Sequence, residues 1–148
     1  MGKIVKKSED LGNNNVVISN YITRSAQTLS LVEKRILMAG IAKLSGVNGE
    51  VKLTAQEYAE TYDVDIQTAY NQLRGAINAL MKRTLSWQIK DGKHIGTLSC
   101  VWVQGYKYFK DEAYAKFKFS EYVFPFLFEL QNEFTKYQLK QAAALRSV

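Results

Sequence analysis

The stretch TAQEYAETYDVDIQTAYNQLRGAINAL, Thr54 to Leu80, decides the fold because it reads as two helices with almost nothing between them. Thr54 and Glu57 have the spacing of a capping box, in which each side chain satisfies the other's free backbone N–H. Asp65 follows a short turn and is a preferred N-cap residue for the second helix. We expect that second helix to run to about Arg83, so the stretch predicts a helix–turn–helix.

The second predicted helix has one apolar stripe and one polar side. The stripe recurs at helical spacing and is assigned to the core; its members are Ile66, Ala69, Tyr70, Leu73, Ile77 and Leu80. The polar side carries Thr68, Asn71, Gly75, Asn78 and Lys82, flanked by Gln67 and Arg74. Amide side chains pair with adenine edges, and arginine pairs with guanine or phosphate. This side is a candidate nucleic-acid surface, and an ordinary solvated helix face is the alternative.

After Arg83 the hydrophobic period changes from that of a helix to that of a strand. The segment TLSWQIK, residues 84–90, alternates apolar and polar side chains, and Asp91-Gly92 is a strong turn signal between two strands. The return strand is expected over about 95–103. The basic residues near the tip of this hairpin are Lys90, Lys93 and His94. A hairpin directly after a helix–turn–helix is the winged-helix arrangement.

The flanking segments complete an α+β fold with one additional strand. Residues 1–15 are expected to be a loose leader, and residues 16–18 a short strand. Ser30 and Glu33 repeat the capping-box spacing at the start of a helix. Further strands are expected over 50–53 and 114–119, and Thr135 is expected to cap a last helix. The predicted winged-helix domain therefore spans 16–134.

The basic charge of the chain is concentrated in one segment. The whole chain has 20 basic and 14 acidic residues, a net charge of +6. From residue 66 to residue 110 there are seven basic residues and one acid, which is also +6. A one-sided basic segment favours a polyanionic partner such as nucleic acid. A solvated surface of ordinary charge is the alternative.

The sequence offers little for catalysis or for metal binding. It has one histidine and one cysteine, so the usual zinc spacings are absent. Cys100 lies in an apolar run and is expected to be an inert core thiol, and His94 to face solvent at the hairpin tip. We therefore expect no enzyme and no cofactor. No apolar run approaches the roughly 20 residues that a bilayer requires, and a cytoplasmic location without a membrane partner is expected.

The ordered patterns resemble a known family, the plasmid replication initiator proteins built from two tandem winged helices. The stretches that carry the resemblance are LSLVEKRILMAGIAKL (29–44), LTAQEYAETYDVDIQTAYNQLRGAINALMKR (53–83) and the hairpin WQIKDGKHIGTLSCVWVQGYKYF (87–109). The C-terminal FTKYQLKQAAALRSV, 134–148, is similar to the segment that leads into the family's long connecting helix. Residues 135–148 are therefore expected to start that helix, and the chain resembles the N-terminal domain alone.

The resemblance implies a function in replication. Family members bind repeated origin sequences as monomers and repress their own promoters as dimers. The implied partners are double-stranded DNA at origin repeats and at an operator, a second copy of the chain, and host replication proteins or chaperones. The residues expected to contact DNA are Gln67, Thr68, Asn71, Arg74, Asn78, Lys82, Arg83, Lys90, Lys93 and His94.

Crowded aromatic residues after the hairpin are expected to form a dimer interface. They are Tyr106, Tyr108, Phe109, Tyr114 and Phe117. Apolar area beyond the needs of a small core favours a partner surface, and a sheet edge here can pair with its two-fold mate. The alternative is that these rings fill the sheet's own core. Two other functions stay open: a protein-interaction module that does not contact DNA, and a transcriptional regulator with no role in replication.

Overall fold

The computed structural model describes the backbone of residues 2–44 and 49–146 and the side chains of 15–44 and 49–136. Helices and strands alternate in an order that places a helix–turn–helix at the centre of the chain. In chain order they are α1 (Gly2–Gln27), α2 (Leu31–Ala42), β1 (Glu50–Thr54), α3 (Ala55–Tyr62), α4 (Ile66–Leu80), β2 (Thr84–Asp91), β3 (His94–Val101), β4 (Val103–Phe109), β5 (Tyr114–Phe119), a 3₁₀ turn (Phe124–Phe126) and α5 (Leu127–Arg146).

The strands form two antiparallel sheets. One sheet has three strands in the order β1-β5-β4, and the other is the hairpin of β2 and β3. Trp102 alone separates β3 from β4, so the hairpin continues almost directly into the larger sheet. The backbone N–H of Ser120 donates to the Trp102 carbonyl at 3.0 Å, and the Trp102 side chain is buried. The return strand predicted over 95–103 is therefore split at Trp102.

The core lies between one face of the three-stranded sheet and the helices. Alternation along β5 turns Ala115, Phe117 and Phe119 inward, and all three are buried. Helix α2 approaches this face closely at Gly40, where an added Cβ would lie 2.9 Å from the ring tips of Phe117 and Phe119. Glycine thus lets the helix backbone contact the two rings directly. Helix α4 contributes its own buried stripe, which includes Leu73, Ile77 and Leu80.

Three of the four predicted N-caps are confirmed. Ser30 accepts the backbone N–H of Glu33, Thr54 accepts that of Glu57, and Asp65 accepts that of Thr68. Each cap satisfies one of the backbone donors that a helix start leaves unpaired. The carboxylates of Glu33 and Glu57 also form ion pairs with Arg83 and Lys43, which are distant in sequence.

Three local predictions are wrong. The strand predicted over 16–18 lies within helix α1, which spans Gly2–Gln27. Thr135 does not cap a helix, because α5 begins at Leu127 and the Thr135 hydroxyl donates to the Gln131 carbonyl at 3.0 Å. Ile66, assigned to the core stripe, is 55% exposed in the first turn of α4.

Candidate nucleic-acid interface

The outward side of α4 is polar, exposed and free of carboxylates. Its exposed residues are Gln67, Asn71, Arg74, Gly75 and Asn78, and Lys82 is exposed just beyond the helix. Nothing within 4 Å would obstruct a Cβ at Gly75, so a ligand backbone can approach there. The helix from Ile66 to Leu80 contains no acidic residue. This side therefore offers amide and cationic groups to a partner, as the sequence predicted.

Thr68 is only partly available on this side. Its hydroxyl donates to Asp65 at 2.8 Å, and its backbone N–H donates to the other carboxylate oxygen at 2.8 Å. The backbone hydrogen bond, followed by the hydroxyl, holds the pKa of Asp65 below its ordinary value. Asp65 therefore keeps its negative charge at the start of α4, which disfavours phosphate at that end.

Arg74 is positioned by an aromatic ring. Its guanidinium carbon lies 5.5 Å from the ring centroid of Tyr108, and Tyr108 meets Tyr70 edge-on at 5.5 Å. Burial and the neighbouring Tyr70 raise the pKa of Tyr108 to about 12, so the phenol stays neutral beside the cation. A cation–π contact orients arginine without neutralising its charge. Arg74 is thus held in place with its charge available.

Arg83 forms an ion pair with the buried carboxylate of Glu33. Its Nη2 lies 2.9 Å from Oε1 of Glu33 and 3.2 Å from Oε2, and its Nε lies 3.2 Å from Oε1. Glu33 is only 3% exposed. The charge of Arg83 is paired with this buried carboxylate while its side chain is 55% exposed, so its contact with DNA stays a prediction. Arg83 ties α2 to the start of β2.

The hairpin tip carries its basic residues in solvent. Lys90, Lys93 and His94 are all exposed, and Gly92 turns the chain with a φ of 62°. At the base of the hairpin, the Trp87 ring packs edge-on against Tyr21 of α1 and Phe126 of the 3₁₀ turn, at 6.3 and 6.2 Å. The hydroxyl of Tyr21 also accepts the backbone N–H of Ser86 at 3.0 Å. Helix α1 therefore fixes the direction of the hairpin, which the sequence did not reveal.

The acidic helix α3 repels phosphate less than its sequence indicates. Glu57 forms an ion pair with Lys43 at the end of α2. Burial has the largest single effect and raises the pKa of Glu57, but the hydrogen bond and charge of Lys43, together with the hydrogen bonds of Thr54, outweigh it and hold the pKa below its ordinary value. Glu60 and Asp63 remain exposed. DNA docked on α4 is therefore expected to lie away from the exposed side of α3.

The aromatic residues predicted to form one dimer interface lie in three different places. Phe117 is 1% exposed and fills the core beneath α2, so its assignment to an interface is corrected. Tyr106 and Tyr108 are half-buried on the helix-covered face of β4. Phe109 and Tyr114 lie on the opposite face and stack at 4.6 Å. These five rings cannot form one continuous surface, because strand alternation separates them.

Other kinds of site receive little support from the part of the chain that the structure describes. No cluster of three or more potential metal ligands occurs among those residues. The described helices include none with the length and apolar character needed to span a bilayer. Burial raises the pKa of the Cys100 thiol, which is consistent with a structural residue.

Comparisons with known proteins agree with the fold. The family described as "Initiator Replication protein, WH1" matches residues 15–148. The crystal structure of the MSBI1.176 WH1 domain, a replication protein isolated from a multiple sclerosis patient, shares 26% identity and superposes with a TM-score of 0.73. That match covers 79% of this chain and 94% of that domain. No curated protein sequence matches the chain.

A second structure is similar in fold alone. It is the Pi initiator protein, solved in complex with iteron DNA, with 19% identity and a TM-score of 0.58. The match covers 70% of this chain and 46% of the Pi chain, so this chain spans less than half the length of that protein. The winged-helix prediction is confirmed, and the family match over residues 15–148 shows that the chain belongs to the WH1 family of initiator replication proteins.

Proposed function

We propose that this WH1 domain binds double-stranded DNA through the outward side of α4 and the tip of the β2–β3 hairpin. The observation that carries the proposal is the carboxylate-free side of α4, which combines exposed amides with Arg74 and Lys82. Exposed lysines at the hairpin tip extend the same basic character beyond the helix. The complex of the Pi initiator with iteron DNA supports the same kind of partner.

Within replication, the domain would act in two assemblies in the cytoplasm. As a monomer it would contact repeated origin sequences, with the exposed cations on phosphates and Asn71 and Asn78 facing base edges. As a dimer it would repress its own promoter. Host replication proteins or chaperones are further partners of the proposed initiator.

The free edge of β4 is the proposed dimer contact. In the described sheet β4 is an edge strand that pairs only with β5. An open edge presents unpaired backbone groups that a second copy can satisfy by adding its own strand. Sedimentation of the purified domain over a range of concentrations tests this proposal. A mass that rises toward twice the monomer value supports the dimer, and a constant monomer mass contradicts it.

Replacing Arg74 and Lys82 together by glutamine tests the DNA surface. We expect weaker binding to duplex DNA and a slope of log affinity against log salt that is flatter by about 1.8, because each neutralised phosphate contributes about 0.9. Titrations followed by fluorescence anisotropy at several salt concentrations measure both quantities. Lys34 and Lys136, which lie on α2 and α5, provide a double glutamine control with the same change in charge.

The outcome also separates DNA binding from the alternative function. If the Arg74 and Lys82 variant binds duplex with unchanged affinity and slope, the DNA surface lies elsewhere on the domain. If the unaltered domain is dimeric but does not bind duplex at low salt, the module functions through protein contacts instead.

A further inference from the structure

The outer face of the three-stranded sheet carries a row of lysines. Because Phe117 and Ala115 of β5 point inward, their neighbour Lys116 points to the opposite face. Its cross-strand partners are Lys52 on β1 and Lys107 on β4. Three lysines therefore lie side by side across three strands, at the separation of about 4.8 Å between neighbouring strands.

This row is unfavourable for the sheet alone. Like charges directly opposite each other on neighbouring strands destabilise the pairing. Lys52 and Lys107 are exposed, and Lys118 lies two residues along β5, opposite Glu50 on β1. In the described structure the helices contact the inner face, where α2 approaches Phe117 and α4 contacts Tyr108. The lysine row is thus open to solvent and suited to a ligand with closely spaced negative charges.

A stacked pair of aromatic rings lies beside the row, two residues along β4 and β5. Phe109 of β4 and Tyr114 of β5 are cross-strand partners, with ring centroids 4.6 Å apart and planes 15° from parallel. The Lys52 ammonium lies 4.4 Å from the Tyr114 ring centroid. Phe109 ends this stack and is 39% exposed. A planar group from a ligand can extend the stack at Phe109.

We propose that this outer sheet face binds single-stranded DNA, with phosphates along Lys52, Lys116 and Lys107 and an unpaired base stacked on Phe109. Lysines that follow a backbone, combined with exposed aromatic rings, are the two elements of sequence-tolerant single-strand binding. A duplex buries its base faces in its own stack, so it has no free base to stack on Phe109. The face is separate from the outward side of α4, because α4 packs against the inner side of the same sheet.

Replacing Lys107 and Lys116 together by glutamine tests the lysine row. With labelled oligo(dT) as the probe, we expect affinity to fall on the order of tenfold and the salt slope to flatten by about 1.4, since each contact to a single strand contributes about 0.7. Duplex affinity should stay within about twofold of the unaltered domain. The Lys34 and Lys136 double glutamine variant, with the same change in charge, should keep its affinity for oligo(dT).

The competing outcomes are distinct. Equal losses for oligo(dT) and duplex would make the row a duplex contact and overturn the proposal. So would an equal loss in the control variant, or an unaltered domain that does not bind oligo(dT) at low salt. Thermal unfolding checks that the Lys107 and Lys116 variant is folded. Removing the repulsion between these lysines should leave the midpoint temperature of unfolding unchanged or raise it.

Replacing Phe109 by leucine tests the stacking step separately. Leucine keeps an apolar side chain beside Tyr114 but has no ring face for a base. We expect affinity for oligo(dT) to fall at least about fivefold while the salt slope stays the same, because stacking does not involve ions. An unchanged affinity would show that bases do not stack on Phe109. Duplex binding by the Arg74 and Lys82 variant is measured separately from oligo(dT) binding by the two sheet variants. The experiments can therefore contradict one proposed site without contradicting the other.

Discussion

Replacing Arg83 by methionine is expected to lower the free energy of unfolding by about 2 to 3 kcal/mol. The substitution leaves the Glu33 carboxylate, which is 3% exposed, without its partner. Removing one member of a fully buried pair has a larger effect, but the Arg83 side chain is 55% exposed and water can replace part of the contact. Urea unfolding followed by circular dichroism measures the change.

The neighbouring Lys82 provides the control for this prediction. Lys82 is exposed, and its replacement by methionine should change stability by no more than about 0.5 kcal/mol. A double variant in which Glu33→Gln accompanies Arg83→Met should recover part of the lost stability, because the orphaned charge is removed. Equal effects of the Arg83 and Lys82 substitutions would contradict a stabilising role for the ion pair between Arg83 and Glu33.

Replacing Phe117 by alanine is expected to lower the free energy of unfolding by about 3 to 5 kcal/mol. The ring is 1% exposed and packs edge-on against Phe119 at 5.5 Å, beneath the glycine of α2. Its loss would leave a cavity that the surrounding helix and sheet fill only partly. Denaturant unfolding at low protein concentration measures this change in the monomer.

The same experiment separates a core residue from an interface residue. Phe109 lies on the neighbouring strand but on the opposite face, where alanine should lower the free energy of unfolding by only about 1 kcal/mol through the lost stack. If Phe117→Ala left monomer stability intact but abolished self-association, the ring would belong to an interface and not to the core.

Local signals in the sequence predicted the helix–turn–helix well. An N-cap depends on residues three apart, so Ser30, Thr54 and Asp65 could be identified without knowledge of the fold. The partners of the capping-box glutamates could not, because Arg83 lies 50 residues from Glu33 in the chain and Lys43 precedes Glu57 by 14. These tertiary ion pairs depend on the folded arrangement of the helices and strands, which the local spacing does not reveal.

For two incorrect predictions, the strand at 16–18 and the aromatic interface, the sequence contains patterns that agree with the observed structure. Three adjacent β-branched residues at 16–18 favour a strand locally, yet Ile18, Ile22 and Ala26 recur every four residues and form the inner side of α1. For the aromatic residues, alternation along β5 already placed Phe117 with Ala115 and Phe119. The interface was predicted from how closely the aromatic residues follow one another in the sequence. That prediction did not consider which face of its strand each ring occupies.

The outward side of α4 was predictable because a helix has a fixed period, and one inward residue sets the direction of all the others. The position of Arg83 was not, since it lies beyond the last helical turn where that period no longer applies. The lysine row on the sheet was also hidden. Its members come from three segments of the chain, and only the pairing of β1, β5 and β4 brings them together.

The hydrogen bond between the Tyr21 hydroxyl and the Ser86 backbone N–H also bears on aggregation. Among the residues that the structure describes, strand β2 pairs with β3 on one side only, so its other edge would be a template for strands of misassembled chains. The Tyr21 hydroxyl already accepts the Ser86 N–H on that edge, and the bulk of α1 hinders the approach of a strand from another chain. Through this contact, helix α1 helps to keep the domain from polymerising through its β2–β3 hairpin.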